Sequence, residues 1–124
     1  MFERAEVRVD LERITANIKH FKELSGTPVM AVVKADAYGH GLVPVAKAAL
    51  EAGASSLGVA LLEEAITLRQ AGITAPILAW LVPPGSNYKL AVDNHIELAA
   101  SSIKALEEIG AVKSEFRPKV HLEV

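Results

Sequence analysis

The chain has 124 residues, a formal net charge of −2 and no cysteine, which is one domain's worth of sequence with room for a core. That charge balance gives nucleic acid and acidic membrane surfaces little to bind, and without thiols there is neither a disulfide nor a thiolate metal site. Hydrophobic residues make up 51%, so the chain folds, and a domain this small and this apolar is expected to press some of that surface against something else.

Met1 to Asp10 carry Glu3, Arg4, Glu6 and Arg8 and lack the apolar region of a signal peptide. No apolar run approaches the roughly 18 residues of a membrane span, so the expected setting is the cytoplasm. Val7 and Val9 alternate with charged residues, the pattern of a short strand over 7–10. Asp10 is a good helix cap. Leu11, Ile14, Ile18 and Phe21 then follow at helical spacing to about Leu24, and Ser25-Gly26-Thr27-Pro28 ends the helix.

Val29-Met30-Ala31-Val32-Val33 is a continuous apolar run, the signature of a strand buried on both faces, with Lys34 at its end. A polar, glycine-containing turn covers Ala35 to Gly41. A helix striped by Leu42, Val45, Ala46, Ala49 and Leu50 follows, and Gly53 stops it. The unit repeats. Leu57 to Ala60 reads as a strand, and Leu61, Ala65 and Leu68 stripe a helix that stops at Gly72. Ile77 to Val82 is a third strand, broken by Pro83-Pro84-Gly85-Ser86, with a weak helix over 87–92. Ile96 to Ala100 is a fourth strand. Ser101 or Ser102 caps a helix with Ile103, Leu106 and Ile109, and Val120, Leu122 and Val124 mark a fifth strand.

Strand and helix alternating at this rhythm mean βαβ units and a parallel sheet. A doubly wound open sheet and part of a (β/α)8 barrel both fit. The absence of a G-x-G-x-x-G turn weakens the dinucleotide version of the first, and about five strands fall short of the eight in the second.

Lys34 is the leading chemical candidate. At the end of an apolar strand its amine is expected to be partly desolvated, which favours the neutral form that Schiff-base chemistry requires. Strand-end lysines also snorkel into water, and position alone does not separate the two. The residues Ala31-Val32-Val33-Lys34-Ala35-Asp36-Ala37-Tyr38-Gly39-His40-Gly41 resemble the cofactor-lysine motif of the alanine racemases, pyridoxal phosphate enzymes of fold type III. The likeness continues through residues 48–54, Glu63-Glu64-Ala65, Leu68-Arg69 and Ala75-Pro76-Ile77-Leu78. It covers nearly the whole chain but only about the first third of a family member.

This resemblance implies a pyridoxal phosphate-binding (β/α)8 TIM-type barrel, of which 1–124 is the N-terminal portion, and places 1–10 in a strand that packs with a later β domain. It implies interconversion of L- and D-alanine, a cofactor Schiff base on Lys34 with Lys34 also moving a proton, and a Tyr38 hydroxyl on the cofactor phosphate. Trp80 would line the cofactor pocket or serve as an ordinary barrel aromatic. Asp36 and His40 read as turn and capping groups, and His121 as a strand residue. Glu123 falls where the family often carries a lysine modified to a carbamate, so it either supplies that carboxylate directly or faces solvent. The arginine beside the pyridine nitrogen, the later phosphate loops and the tyrosine that acts as second base from the partner of a homodimer are all expected beyond Val124. Another amino-acid racemase of the same fold, acting on serine or a broader set, is the first rival. The second is a non-catalytic chain that self-associates through its open sheet, since the 124 residues alone are expected to be inactive.

Overall fold

A computed structural model describes residues 4–124, so Met1 to Glu3 lie outside the described residues, and the expectation that rested on Glu3 with them. Five parallel strands pair strictly in chain order: β1 (Met30–Val32), β2 (Ser56–Val59), β3 (Ile77–Ala79), β4 (Ile96–Ala100) and β5 (Val120–Leu122). Between them run α2 (Lys34–Gly39), α3 (Leu42–Glu51), α4 (Leu62–Gln70), α5 (Tyr88–Asp93) and α6 (Ile103–Gly110), with α1 (Leu11–Ser25) before β1. A doubly wound sheet reverses its strand order at a switch point. This sheet never reverses, which is the order of a (β/α)8 barrel.

The burial pattern gives the same answer. Ala31, Val33, Leu57, Val59, Ile77, Ala79, Leu98 and Ala100 point to one face and share a core with Val45, Ala49, Ala65, Leu68 and Ile109 of the helices. Side chains alternate across a strand, so Met30, Val32, Gly58, Leu78, Glu97 and His121 point to the other face. There Met30 is 37% and Val32 53% exposed. Helices therefore cover one face and leave the other open, the inner face of a part-barrel. The apolar run over 29–33 predicted a strand buried on both faces. Only the helix-facing half is buried, because the opposite wall is not among these residues.

The termini of the elements follow their local chemistry. Asp10 Oδ1 accepts from the Arg13 N–H at 3.1 Å and starts α1. Gly26, at φ 61°, ends it by donating to Lys22 O. Asn87 caps α5 and Ser102, not Ser101, caps α6 through side-chain oxygens that accept backbone N–H groups. Leu62 rather than Leu61 is the buried start of α4, and α6 buries Ala105 and Ile109 while Ile103 stays 76% exposed. The strand predicted over 7–10 does not form. A strand needs a neighbour to bond to, none of the five strands supplies one, and Val7 is 88% exposed.

Candidate active site around Lys34

Lys34 leaves the C-terminal end of β1, the end at which parallel barrels build their sites. Val33 extends the pairing one step by donating to Gly58 O at 2.9 Å. The chain then does something its composition does not announce. Ala35, Asp36, Ala37 and Tyr38 have φ between 51° and 54° and ψ between 37° and 50°, a full turn of left-handed helix with no glycine in it. Each such residue costs roughly 1–2 kcal/mol, so the surroundings must hold the turn. Ala37 N–H donates to Val33 O at 3.0 Å and Gly41 N–H to Asp36 O at 3.0 Å. Asp36 Oδ1 accepts from Leu42 N–H at 2.7 Å and so starts α3. The His40 ring lies with Nδ1 2.8 Å from Ala37 O, and since a carbonyl only accepts, Nδ1 is the donor. Asp36 and His40 are thus turn and capping groups, as their residue types imply.

The turn brings Tyr38 back over the lysine, with Lys34 Nζ 4.9 Å from the centre of the Tyr38 ring. Lys34 is half-buried, whereas Tyr38 is 70% exposed. Glu64, which sequence reasoning passed over, accepts from Ala35 N–H at 2.6 Å.

The left-handed turn makes a direct prediction. Ala37→Gly should leave stability within about 1 kcal/mol of the parent, since relief of backbone strain offsets the extra freedom of the unfolded chain. Ala37→Val should cost about 2 kcal/mol, because a branched Cβ is crowded at positive φ. Urea unfolding of the two variants checks the pair; equal stabilities would contradict the turn.

Trp80 stands one residue past β3, and its backbone N–H donates to Val59 O at 3.3 Å. Its ring crosses the open face over Gly58. A Cβ at Gly58 would lie 2.7 Å from Trp80 Cζ3 and 3.0 Å from Met30 Sδ, so only glycine lets the indole lie there. Trp80 therefore shares the open face with Met30, Val32 and Lys34. The loop after it is tied down by Tyr88, whose hydroxyl donates to Val82 O at 3.0 Å. Burial, and then the charge of Glu108, push this phenol up from its ordinary value, so it remains a donor.

On the far strands His121 Nε2 meets Glu97 Oε2 at 2.7 Å, with Lys119 Nζ 3.7 Å from Glu97 Oε1. His121 is a strand residue paired with a carboxylate. Glu123 continues the pairing past β5 by donating its N–H to Ala100 O at 3.0 Å, and it is exposed. The structure thus brings Lys34 and Tyr38 together and sets Trp80 on the same face.

The family model described as alanine racemase, N-terminal domain, matches residues 9–124. The chain belongs to the alanine racemase N-terminal domain family. Among curated relatives, the alanine racemase of Mycolicibacterium smegmatis is 52% identical over 112 residues, which cover 90% of this chain and 29% of that protein. The solved alanine racemase of D-cycloserine-producing Streptomyces lavendulae superposes with a TM-score of 0.81 at 44% identity, over 83% of this chain and 27% of that one. The histidine racemase of Leuconostoc mesenteroides superposes with a TM-score of 0.77 at 36% identity, over 89% of this chain and 30% of that one. The chain thus spans about 30% or less of the length of these racemases.

Proposed function

We propose that the complete protein is a pyridoxal phosphate-dependent alanine racemase in which Lys34 holds the cofactor. The observation that carries this reading is the left-handed turn that sets the Lys34 amine 4.9 Å from the Tyr38 ring at the C-terminal end of the first barrel strand. Membership of the alanine racemase family supports it. The residues fit the group: a primary amine for the carbonyl carbon, a phenol donor for a phosphate oxygen, and an indole on the same face. When bound, pyridoxal phosphate supplies an electron sink for a carbanion at the substrate α-carbon. Lys34 anchors the group and moves a proton on one face of that carbon. Tyr38 donates a hydrogen bond to the phosphate without adding charge. Trp80 lines the wall of the pocket.

Racemisation needs a second proton carrier on the opposite face, which this reading assigns to a tyrosine of the partner subunit in a homodimer. The D-alanine would feed peptidoglycan synthesis in the cytoplasm. Among the described residues no helix is long and apolar enough to cross a membrane.

Conversion of L-alanine to D-alanine by the complete protein, read by chiral chromatography with L-serine and L-histidine in parallel, tests the activity and the substrate together. The likeness to a histidine racemase favours keeping a second reading, another amino-acid racemase on the same barrel. Faster turnover of serine or histidine than of alanine would establish it. The 124-residue chain alone should be inactive and self-associating, because among the described residues β1 and β5 leave unpaired edges and Val32 and Leu122 are 53% and 68% exposed.

Tyr38→Phe should weaken cofactor affinity by about 1–3 kcal/mol, the cost of a hydrogen bond to a charged group. Equilibrium titration of the apoprotein with pyridoxal phosphate measures it. An unchanged affinity would reduce Tyr38 to a cover over the pocket.

A further inference from the structure

We propose that Glu64 is a positioning residue for Lys34, clamping the ends of the first two barrel strands with one carboxylate. Oε1 accepts from Ala35 N–H at 2.6 Å, and Oε2 accepts from Ala60 N–H at 3.0 Å and Leu61 N–H at 2.9 Å. The Ala60 and Leu61 bonds are those of an ordinary acid in the first turn of α4, which takes up free N–H groups at a helix start. The bond to Ala35 is of a different kind. It spans 29 residues of sequence and reaches a separate loop. Ala35 N–H also belongs to the peptide group that begins with the Lys34 carbonyl, so the carboxylate grips the main chain at the residue whose side chain carries the amine.

Such a grip answers a need that the backbone creates. The left-handed turn begins at Ala35, and a strained turn keeps its place only when its surroundings over-determine it. A carboxylate is an acceptor alone and serves N–H groups on both oxygens. The three bonds are charge-assisted, and Glu64 is half-buried. Glu64 forms no ion pair among the described residues, so its carboxylate is given over to backbone N–H groups. The effect on chemistry is indirect: Glu64 fixes where the Lys34 side chain departs, and with it the amine's approach to a bound cofactor.

The inference rests on Lys34 being the cofactor lysine, and its test separates the two. Glu64→Asp and Glu64→Gln are made in the complete protein. Aspartate keeps the charge and the helix start but is one methylene too short to join both loops. Glutamine keeps the length but has one acceptor oxygen, and its NH2 group would face an N–H on the other side. Three readouts are taken: kcat and KM per bound cofactor, amide hydrogen exchange at Ala35, and a peptide map of the pyridoxyl group after borohydride reduction.

The proposal expects kcat per cofactor to fall about ten- to hundredfold in both variants, the effect of a catalytic group displaced by a fraction of its reach, with KM nearly unchanged. Ala35 exchange should quicken, while the α4 amides stay protected in the aspartate variant. Unchanged kcat and unchanged Ala35 exchange, with the pyridoxyl group on Lys34, would overturn it. So would a loss that follows only the melting temperature. A pyridoxyl group on another lysine of the parent protein would bring down the cofactor reading itself and this inference with it, so a single map tells the two failures apart.

Discussion

Replacing Lys34 with alanine in the complete protein should lower racemisation by about a thousandfold or more, the scale expected when a covalent anchor and proton carrier is lost as one group. Lys34 is the half-buried residue at the exit of β1, and the turn after it folds an aromatic ring to 4.9 Å from its amine. A lysine that only snorkelled into water would have no use for so strained a neighbour. The fold should survive, because Lys34 points away from the core that Ala31 and Val33 share with the helices. Lys47→Ala is the control: Lys47 lies exposed on α3, and its loss should leave the rate unchanged. A parent-like rate in Lys34→Ala with a normal melt would remove the lysine from the mechanism.

Arg69→Met should cost about 2–4 kcal/mol of stability, the price of leaving part-buried acceptors without a donor. The Arg69 guanidinium donates to Asn94 O at 2.9 Å, Ile73 O at 2.8 Å, Ala75 O at 2.7 Å and His95 O at 3.0 Å. These carbonyls lie in the loop from α4 to β3 and at the entry to β4, so one side chain ties two strand entries together. One of them, His95, sits at φ 54°, a left-handed residue that again needs an external hold. Partial burial pushes the guanidinium down from its ordinary value, yet it stays a cation with planar donors. Methionine fills much of the volume and makes none of the bonds. Arg69→Lys should recover only part of the loss, because a point charge cannot reach four carbonyls in a plane. Urea unfolding reads both variants. A loss below about 0.5 kcal/mol for methionine, the scale of an ordinary surface change, would mean that water replaces the network without cost.

The order of elements was legible because the pattern changes period where the structure does. Apolar runs ended at turn residues, and Asp10, Asn87 and Ser102 stood where helices start. The open inner face was not legible. Met30 and Val32 read as buried because an apolar run looks the same whether its second face meets a wall or solvent. In α4 and α6 the stripe was right at Ala65, Leu68 and Ile109 but wrong elsewhere: Leu62 and Ala105 are buried where Leu61, Ile103 and Leu106 were expected, a choice that only packing makes. The strand expected over 7–10 has no partner among the described residues, and no local signal reports whether one is present. At the site, Lys34 and Tyr38 were visible through the motif that surrounds them. The hand of the turn between them was not, because Ala-Asp-Ala-Tyr carries no glycine to mark a positive φ. The reach of Glu64 was hidden for another reason: its spacing from Ala60 and Leu61 marks a helix start, while its bond to Ala35 exists only in the folded chain.

The most direct measurement is the position of the cofactor. Borohydride reduction of the complete protein with pyridoxal phosphate bound, followed by proteolysis and mass spectrometry, fixes it to one peptide. The account predicts a pyridoxyl group on Lys34 alone. The same mass on Lys47 or any other lysine, with Lys34 unmodified, would contradict it.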